Sequence, residues 1–243
     1  MGIGRQGRSP FLFQEKTIIK AVFFDIDNTL YSETDAHGVA WLALTQYVWD
    51  RFAIDAETWQ GYYSREMAQM KDLLGPQAAI HNRMIRFQRI LEKLHLPLSH
   101  AKIMNDLYWN ALLEAARPEP HIQDCLADLK ERGYLLGIGT NMTLDWQMAK
   151  LQKLELTDYF SLILSSEEAG CEKPDPRFFR LCAHKAGVET NECLFVGDSL
   201  KGDILGAEAT GMGALWYAPK EGDLSAHTGF TRYSQLQNLI SVV

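Results

Sequence analysis

Five short apolar runs punctuate the chain: AVFF (21–24), YLLGI (134–138), SLIL (161–164), CLFV (193–196) and ALWY (214–217). Each is continuous rather than alternating, the pattern of a strand covered on both faces. Between the last four lie segments of helical period. Residues 121–132 place Ile122, Cys125, Leu126 and Leu129 on one face and close at Gly133. Residues 143–154 follow TNMT, 175–187 open on Asp175-Pro176, a cap followed by proline at the first helical position, and 201–211 end at Gly211. Strand and helix in alternation predict a parallel sheet with right-handed crossovers, an α/β architecture.

Residues 33–116 interrupt that rhythm. They hold no strand-like run but carry apolar stripes at helical spacing: Trp41, Leu44, Val48 and Phe52 within 35–52, and Ile80, Met84, Phe87, Leu91 and Leu94 within 76–94. Gly75-Pro76 and HLPLS (95–99) separate the helices. A block this long with apolar faces of its own is not a loop. It is predicted as an all-helical module inserted after the first strand, rejoining at ARPEP (116–120). The expected organisation is an N-terminal extension (1–18), a core built from 19–32 and 117–243, and a helical cap (33–116).

Composition narrows the partners. The chain has 243 residues, 47% hydrophobic and 23% charged, in the range of an ordinary globular protein. Its net charge of −7 argues against binding nucleic acid or an anionic membrane surface, so a phosphate-bearing partner has to be small and held by a local positive site. Cys125, Cys171, Cys182 and Cys193 form no C-x-x-C pair, which makes a zinc site unattractive and suits free thiols in a reducing compartment. No apolar run approaches the roughly 18 residues of a membrane span. The opening MGIGRQGRSPFLFQEK does not read as a secretion signal, so a cytoplasmic protein is expected, monomer or homodimer.

The chemistry gathers where strands end. VFFDIDNTLY places Asp25 and Asp27 two residues apart, and positions i and i+2 of an extended chain point the same way. Carboxylates that close repel, so one is forced neutral unless a cation or hydrogen bonds intervene. A solvated turn would also account for the pair alone. The other strand ends add Thr140 and Asn141 from GTN, Lys173 from SSEEAGCEKPDP, and Asp198 and Asp203 from GDSLKGD. Open α/β sheets bind ligands beyond the carboxyl ends of their strands. Such a set suits phosphoryl transfer: a carboxylate to attack phosphorus, several acids to hold Mg²⁺, and a hydroxyl, backbone N–H groups and an ammonium to cradle the equatorial oxygens.

Four stretches, FFDIDNTLY, GTN, EKPDPRFF and FVGDSLKGDILGAEATGMG, resemble in order the four motifs of the haloacid dehalogenase-like (HAD) hydrolases. The resemblance implies a Rossmann-like three-layer α/β/α core with a parallel sheet, and the helical block is similar to that family's C1 cap. It implies Asp25 as nucleophile and Asp27 as general acid/base. It further implies Thr140, the Asn141 backbone and Lys173 as the phosphoryl cradle. Mg²⁺ would be held by Asp25, the carbonyl of Asp27 and Asp198, with Asp203 reaching it through water or holding Lys173. The expected activity is a Mg²⁺-dependent phosphatase acting on a small phosphorylated metabolite, a nucleotide or sugar phosphate.

Alternatives on the same scaffold are a phosphomutase or a haloacid dehalogenase, and a binding protein that keeps the fold without catalysis. Asp27 favours the phosphatase, since carbon–halogen cleavage needs no leaving-group proton in the same way. Asn28 after D-x-D, followed by TLY, is similar to the branch of 5′-nucleotidases and acyl-sugar phosphatases, and asparagine tolerates left-handed backbone. The cap lysines Lys71, Lys93 and Lys102 fit polar helix faces rather than Schiff-base chemistry. The cap aromatics Trp41, Tyr47, Trp49, Trp59, Tyr62, Tyr63, Phe87, Tyr108 and Trp109 could stack a base, but helical spacing favours packing between helices. Cys171 is expected to be a packing thiol.

Overall fold

The computed structural model describes residues 18–218 and 227–240; the expected N-terminal extension, apart from Ile18, lies outside the described residues. Among these, six strands form one parallel sheet: β1 (Ala21–Phe24), β2 (Leu135–Thr140), β3 (Leu162–Ser165), β4 (Cys193–Gly197), β5 (Gly213–Tyr217) and β6 (Gly229–Phe230), ordered β3-β2-β1-β4-β5-β6. All five apolar runs are strands. The two-residue β6 was not anticipated, being too short to carry a pattern.

Side chains alternate across β1: Val22 and Phe24 face one apolar cluster, Ala21 and Phe23 the other. The first face is covered by α5 (Ile122–Glu131), α6 (Leu144–Lys153) and α10 (Tyr233–Ile240) through Leu126, Leu129, Leu151 and Leu236. The second is covered by α8 (Pro176–Ala186) and the short α9 (Leu205–Glu208) through Phe178, Phe179, Cys182 and Ala207. A four-residue turn, α7 (Ser166–Ala169), follows β3. The result is a three-layer α/β/α sandwich. Its helix ends follow the sequence: Asp175 accepts from the Arg177 amide, Pro176 opens α8, and Gly187 closes it in left-handed conformation at φ 69°.

Between β1 and α5 the chain forms α1 (Glu33–Phe52), α2 (Ala56–Leu74), α3 (Arg83–Lys93) and α4 (Ser99–Ala115), with no strand. Ser32 caps α1, and Ala36, Ala40, Leu44 and Val48 form its buried stripe. The helix expected over 76–94 is two pieces, a 3-10 turn (Ala78–His81) and α3. Asn82 divides them because its side chain accepts from the Ile85 amide and so starts a new helix. Likewise, the stretch 201–211 is not a single helix: a wide turn over Leu200–Ile204 precedes α9. The outgoing and returning chains lie side by side, with Tyr31 bridging to Pro118 and the Glu119 amide donating to the Leu30 carbonyl at 2.8 Å.

Candidate active site

Phe24 pairs with Ile138 on one side and Val196 on the other, so β1, β2 and β4 end within two residues of one another. They deliver Asp25, Thr140 and Asp198 to one edge. Past β1 the backbone turns, with Asn28 in left-handed conformation at φ 58°, which an asparagine side chain tolerates better than most. Asp25, Asp27, Thr140, Asn141, Lys173, Asp198 and Asp203 all line one cavity of about 490 Å³.

Lys173 is the hub. Its buried ammonium bonds Asp25 Oδ1 at 2.6 Å, Asp203 Oδ1 at 2.7 Å and the Gly139 carbonyl at 2.9 Å. Burial alone would lower its pKa, but Asp203 and Asp25 outweigh that and raise it. The Asn141 side chain pins the Lys173 backbone, accepting from its amide at 2.9 Å and donating to its carbonyl at 3.3 Å. Asn141 therefore holds the lysine loop with its side chain, while its carbonyl accepts from Gln147.

Asp25, Asp198 and Asp203 bring carboxylate oxygens within 4.8 Å of one another. Burial, then the neighbouring charges of Asp25 and Asp203, push the Asp198 carboxyl up to about 7. Burial likewise raises Asp25 to about 6 despite Lys173. Three carboxylates that share one ammonium, Lys173, offer hard oxygen donors and excess negative charge that fit a divalent cation such as Mg²⁺. Asp203 is also fixed by the Ser199 amide at 3.0 Å. A Cβ on Gly197 would overlap the Asp203 carboxylate, so this strand end has to be glycine.

The side chain of Asp27 is held apart from that trio. Lys150 Nζ grips both its oxygens, at 2.6 and 2.8 Å, the Tyr31 hydroxyl donates to Oδ1 at 2.7 Å, and Gln147 Nε2 donates to Oδ2 at 3.2 Å. Burial would raise this carboxyl, but the Lys150 charge and the three donors outweigh it and hold it below the usual range. The like-charge conflict anticipated for the D-x-D pair is thus resolved by giving each aspartate its own lysine. Lys173 was expected at the site; Lys150, Gln147 and Tyr31 were not. The spacing Gln147-x-x-Lys150 on the helix after GTN was their one sequence signal, two polar residues on a face that should be apolar.

Of the helical insertion, His81 is the residue that lines this cavity, and its Nε2 lies 2.9 Å from Glu172, next to Lys173. None of the cap aromatics lines it: Trp59, Tyr63, Phe87, Tyr108 and Trp109 are buried among the helices, and Trp49 is exposed. Lys93 is taken by Glu66 and Gln69, and Lys102 by Asp106; neither these nor Lys71 reaches the cavity. Cys171 is buried in the core, as expected.

A parallel three-layer sheet whose strand ends gather acids around a buried lysine, beneath an inserted helical layer, defines a Rossmann-like enzyme core. The profile of the haloacid dehalogenase-like hydrolases matches residues 19–211, and the chain belongs to that family. It is 36% identical over 205 residues to a ribulose-1,5-bisphosphate 5-phosphatase of Halopiger xanaduensis, covering 83% of this chain and 85% of that one. It is 32% identical to a glyceraldehyde 3-phosphate phosphatase of Pyrococcus abyssi, covering 82% of each. A 2-haloacid dehalogenase of Pseudomonas syringae pv. Tomato superposes with a TM-score of 0.73 at 26% identity, covering 93% of this chain and 99% of that one.

Proposed function

We propose that this protein is a Mg²⁺-dependent phosphatase that hydrolyses a small sugar phosphate through an aspartyl-phosphate on Asp25. The observation that carries this reading is the Asp25–Lys173–Asp203 arrangement beside Asp198, a carboxylate nucleophile with an ammonium and a cation site at hand. Asp25 attacks phosphorus, and the P–O bond to the leaving group breaks. Asp27, ionised in the free enzyme, takes up a proton as the substrate's negative charge enters the site; it passes that proton to the departing oxygen, then accepts one from the water that cleaves the aspartyl-phosphate. The Thr140 hydroxyl, the Asn141 backbone and Lys173 hold the phosphoryl oxygens as charge grows on them. Mg²⁺, held by Asp25, Asp198 and the Asp27 carbonyl, would neutralise the incoming dianion and the crowded carboxylates.

The preference for a sugar over a nucleotide rests on the cavity wall. Among the described residues no Phe, Tyr or Trp lines it, so a base has only the His81 imidazole to stack on, whereas Asn28, His81 and Lys201 offer polar groups to hydroxyls. The named relatives of similar length act on sugar phosphates. The dehalogenase reading is disfavoured by Asp27, whose proton a carbon–halogen bond does not need.

The test is release of inorganic phosphate from p-nitrophenyl phosphate, from a panel of C3–C6 sugar phosphates and from nucleoside monophosphates, with Mg²⁺ or EDTA. Turnover that requires Mg²⁺, vanishes in Asp25→Asn and favours sugar phosphates is expected. Phosphate release that survives EDTA would overturn the metal role. Isomerisation of a sugar phosphate without phosphate release would identify a mutase, and preference for nucleotides would overturn the substrate class.

A further inference from the structure

Lys150 is among the largest fully buried side chains of the protein, its side chain only 2% exposed. Burying an ammonium is expensive, and an apolar residue of that volume would serve packing as well or better. The cost is met at one place, the Asp27 carboxylate, which Lys150 grips through both oxygens. Trp109 of the insertion lies over the ammonium, 5.5 Å from ring centroid to Nζ, and Tyr31 lies 5.9 Å away. Trp109 in turn stacks on Trp146 of α6 at 4.3 Å.

Gln147, one turn earlier on the same helix, ties the two halves of the site together. Its Nε2 reaches Asp27 Oδ2 at 3.2 Å, Thr140 Oγ1 at 2.6 Å and the Asn141 carbonyl at 2.9 Å. The oxygens of Asp27 are therefore not equivalent. Oδ1 is turned to Tyr31, and Oδ2 is turned to the Thr140–Asn141 side, where the phosphoryl group sits in the proposed reaction.

We infer that Lys150 and Gln147 are positioning residues that fix the rotation of the Asp27 carboxylate so that Oδ2 faces the phosphoryl cradle. Neither touches the reacting atoms; Lys150 acts through Asp27, and Gln147 acts through Asp27 and through Thr140, to which it is closer. The assignment rests on the phosphatase reading, and it makes a prediction that general structural damage does not. Forming the aspartyl-phosphate from p-nitrophenyl phosphate needs little help from an acid, because the leaving group is already a good one. Hydrolysing that intermediate needs a correctly aimed base whatever the substrate.

Lys150→Met and Gln147→Leu are to be compared with wild type on p-nitrophenyl phosphate and on the best sugar phosphate, with acid-quenched phosphoenzyme followed by mass spectrometry. For p-nitrophenyl phosphate, Lys150→Met is expected to lower kcat about 10²-fold and KM with it, leaving kcat/KM within a few-fold, while phosphoenzyme accumulates. For the sugar phosphate, kcat/KM itself falls. Gln147→Leu also accumulates phosphoenzyme on p-nitrophenyl phosphate, with an added loss of kcat/KM because it frees Thr140 too; the phosphoenzyme readout keeps the test sharp if the lysine variant is unstable. Magnesium-dependent protection of Tm by beryllofluoride is retained in both.

Wild-type kcat in both variants would overturn the assignment, as would equal loss of kcat/KM on both substrates without phosphoenzyme. An inactive wild type would instead overturn the phosphatase reading, and this assignment with it.

Discussion

Single atoms decide this site. Gly197 is the sharpest case: Gly197→Ala pushes a methyl into the Asp203 carboxylate, which cannot yield without releasing Lys173 or the Ser199 amide. Loss of turnover by at least about 10²-fold is expected, with a parallel loss of Mg²⁺ affinity by titration calorimetry. Unchanged Mg²⁺ affinity would remove Asp203 from the metal environment. The carboxyls raised by burial give a second expectation. Asp25 near 6 and Asp198 near 7 in the metal-free fold lie above the 3.8 of an unconstrained carboxyl. Their neutral forms thus contribute stability that is complete below about pH 4 and lost as pH rises through 6 to 7. Mg²⁺ binds the ionised forms, so it should raise Tm more at pH 8 than at pH 5 in scanning fluorimetry. Equal shifts at both would show that another group binds the ion. Asp25, Thr140 and Asp198 were legible because each stands within two residues of an apolar run, and Lys173 and Asp203 because they fall in the motifs that follow the next runs; Lys150 was not, since inside an amphipathic helix a lysine reads as solvated until the fold buries it.

At the scale of elements, the insertion is held to the sandwich by α4 lying on α6. Trp109 is buried and stacked on Trp146, so Trp109→Ala should cost about 3–5 kcal/mol in urea unfolding, in the range of other buried Trp truncations. A cost under about 1 kcal/mol would mean that the two layers part independently. The strands were readable to within about two residues because continuous apolar runs leave little ambiguity in a sheet covered on both faces. The helices were less so. The period in 76–94 runs unbroken through Asn82, and only the side-chain hydrogen bond to the Ile85 amide reveals the break. α2 and α4 went unassigned as separate elements, because α2 buries only Trp59, Tyr63, Glu66 and Met70 and its remaining surface is strongly polar.

At the scale of the whole molecule, the net charge of −7 opposes the approach of a phosphate dianion, which Lys173 attracts only at short range. Raising ionic strength from about 10 to 150 mM should therefore increase kcat/KM modestly, about two-fold, at fixed free Mg²⁺. A steep fall would reveal long-range attraction from a positive patch. Among the described residues no helix is long and apolar enough to cross a membrane.

The stitched crossing at Tyr31–Pro118 and Leu30–Glu119 has a broader consequence. To the sheet, everything between those points is equivalent to a tight turn, because the chain returns to where it departed. A change of length far from that crossing leaves the strands where they are, provided that Trp109 over Lys150 and His81 beside Glu172 are kept. The helical layer is thus joined to the sheet as a graft to its rootstock, at one union and a few later points of contact.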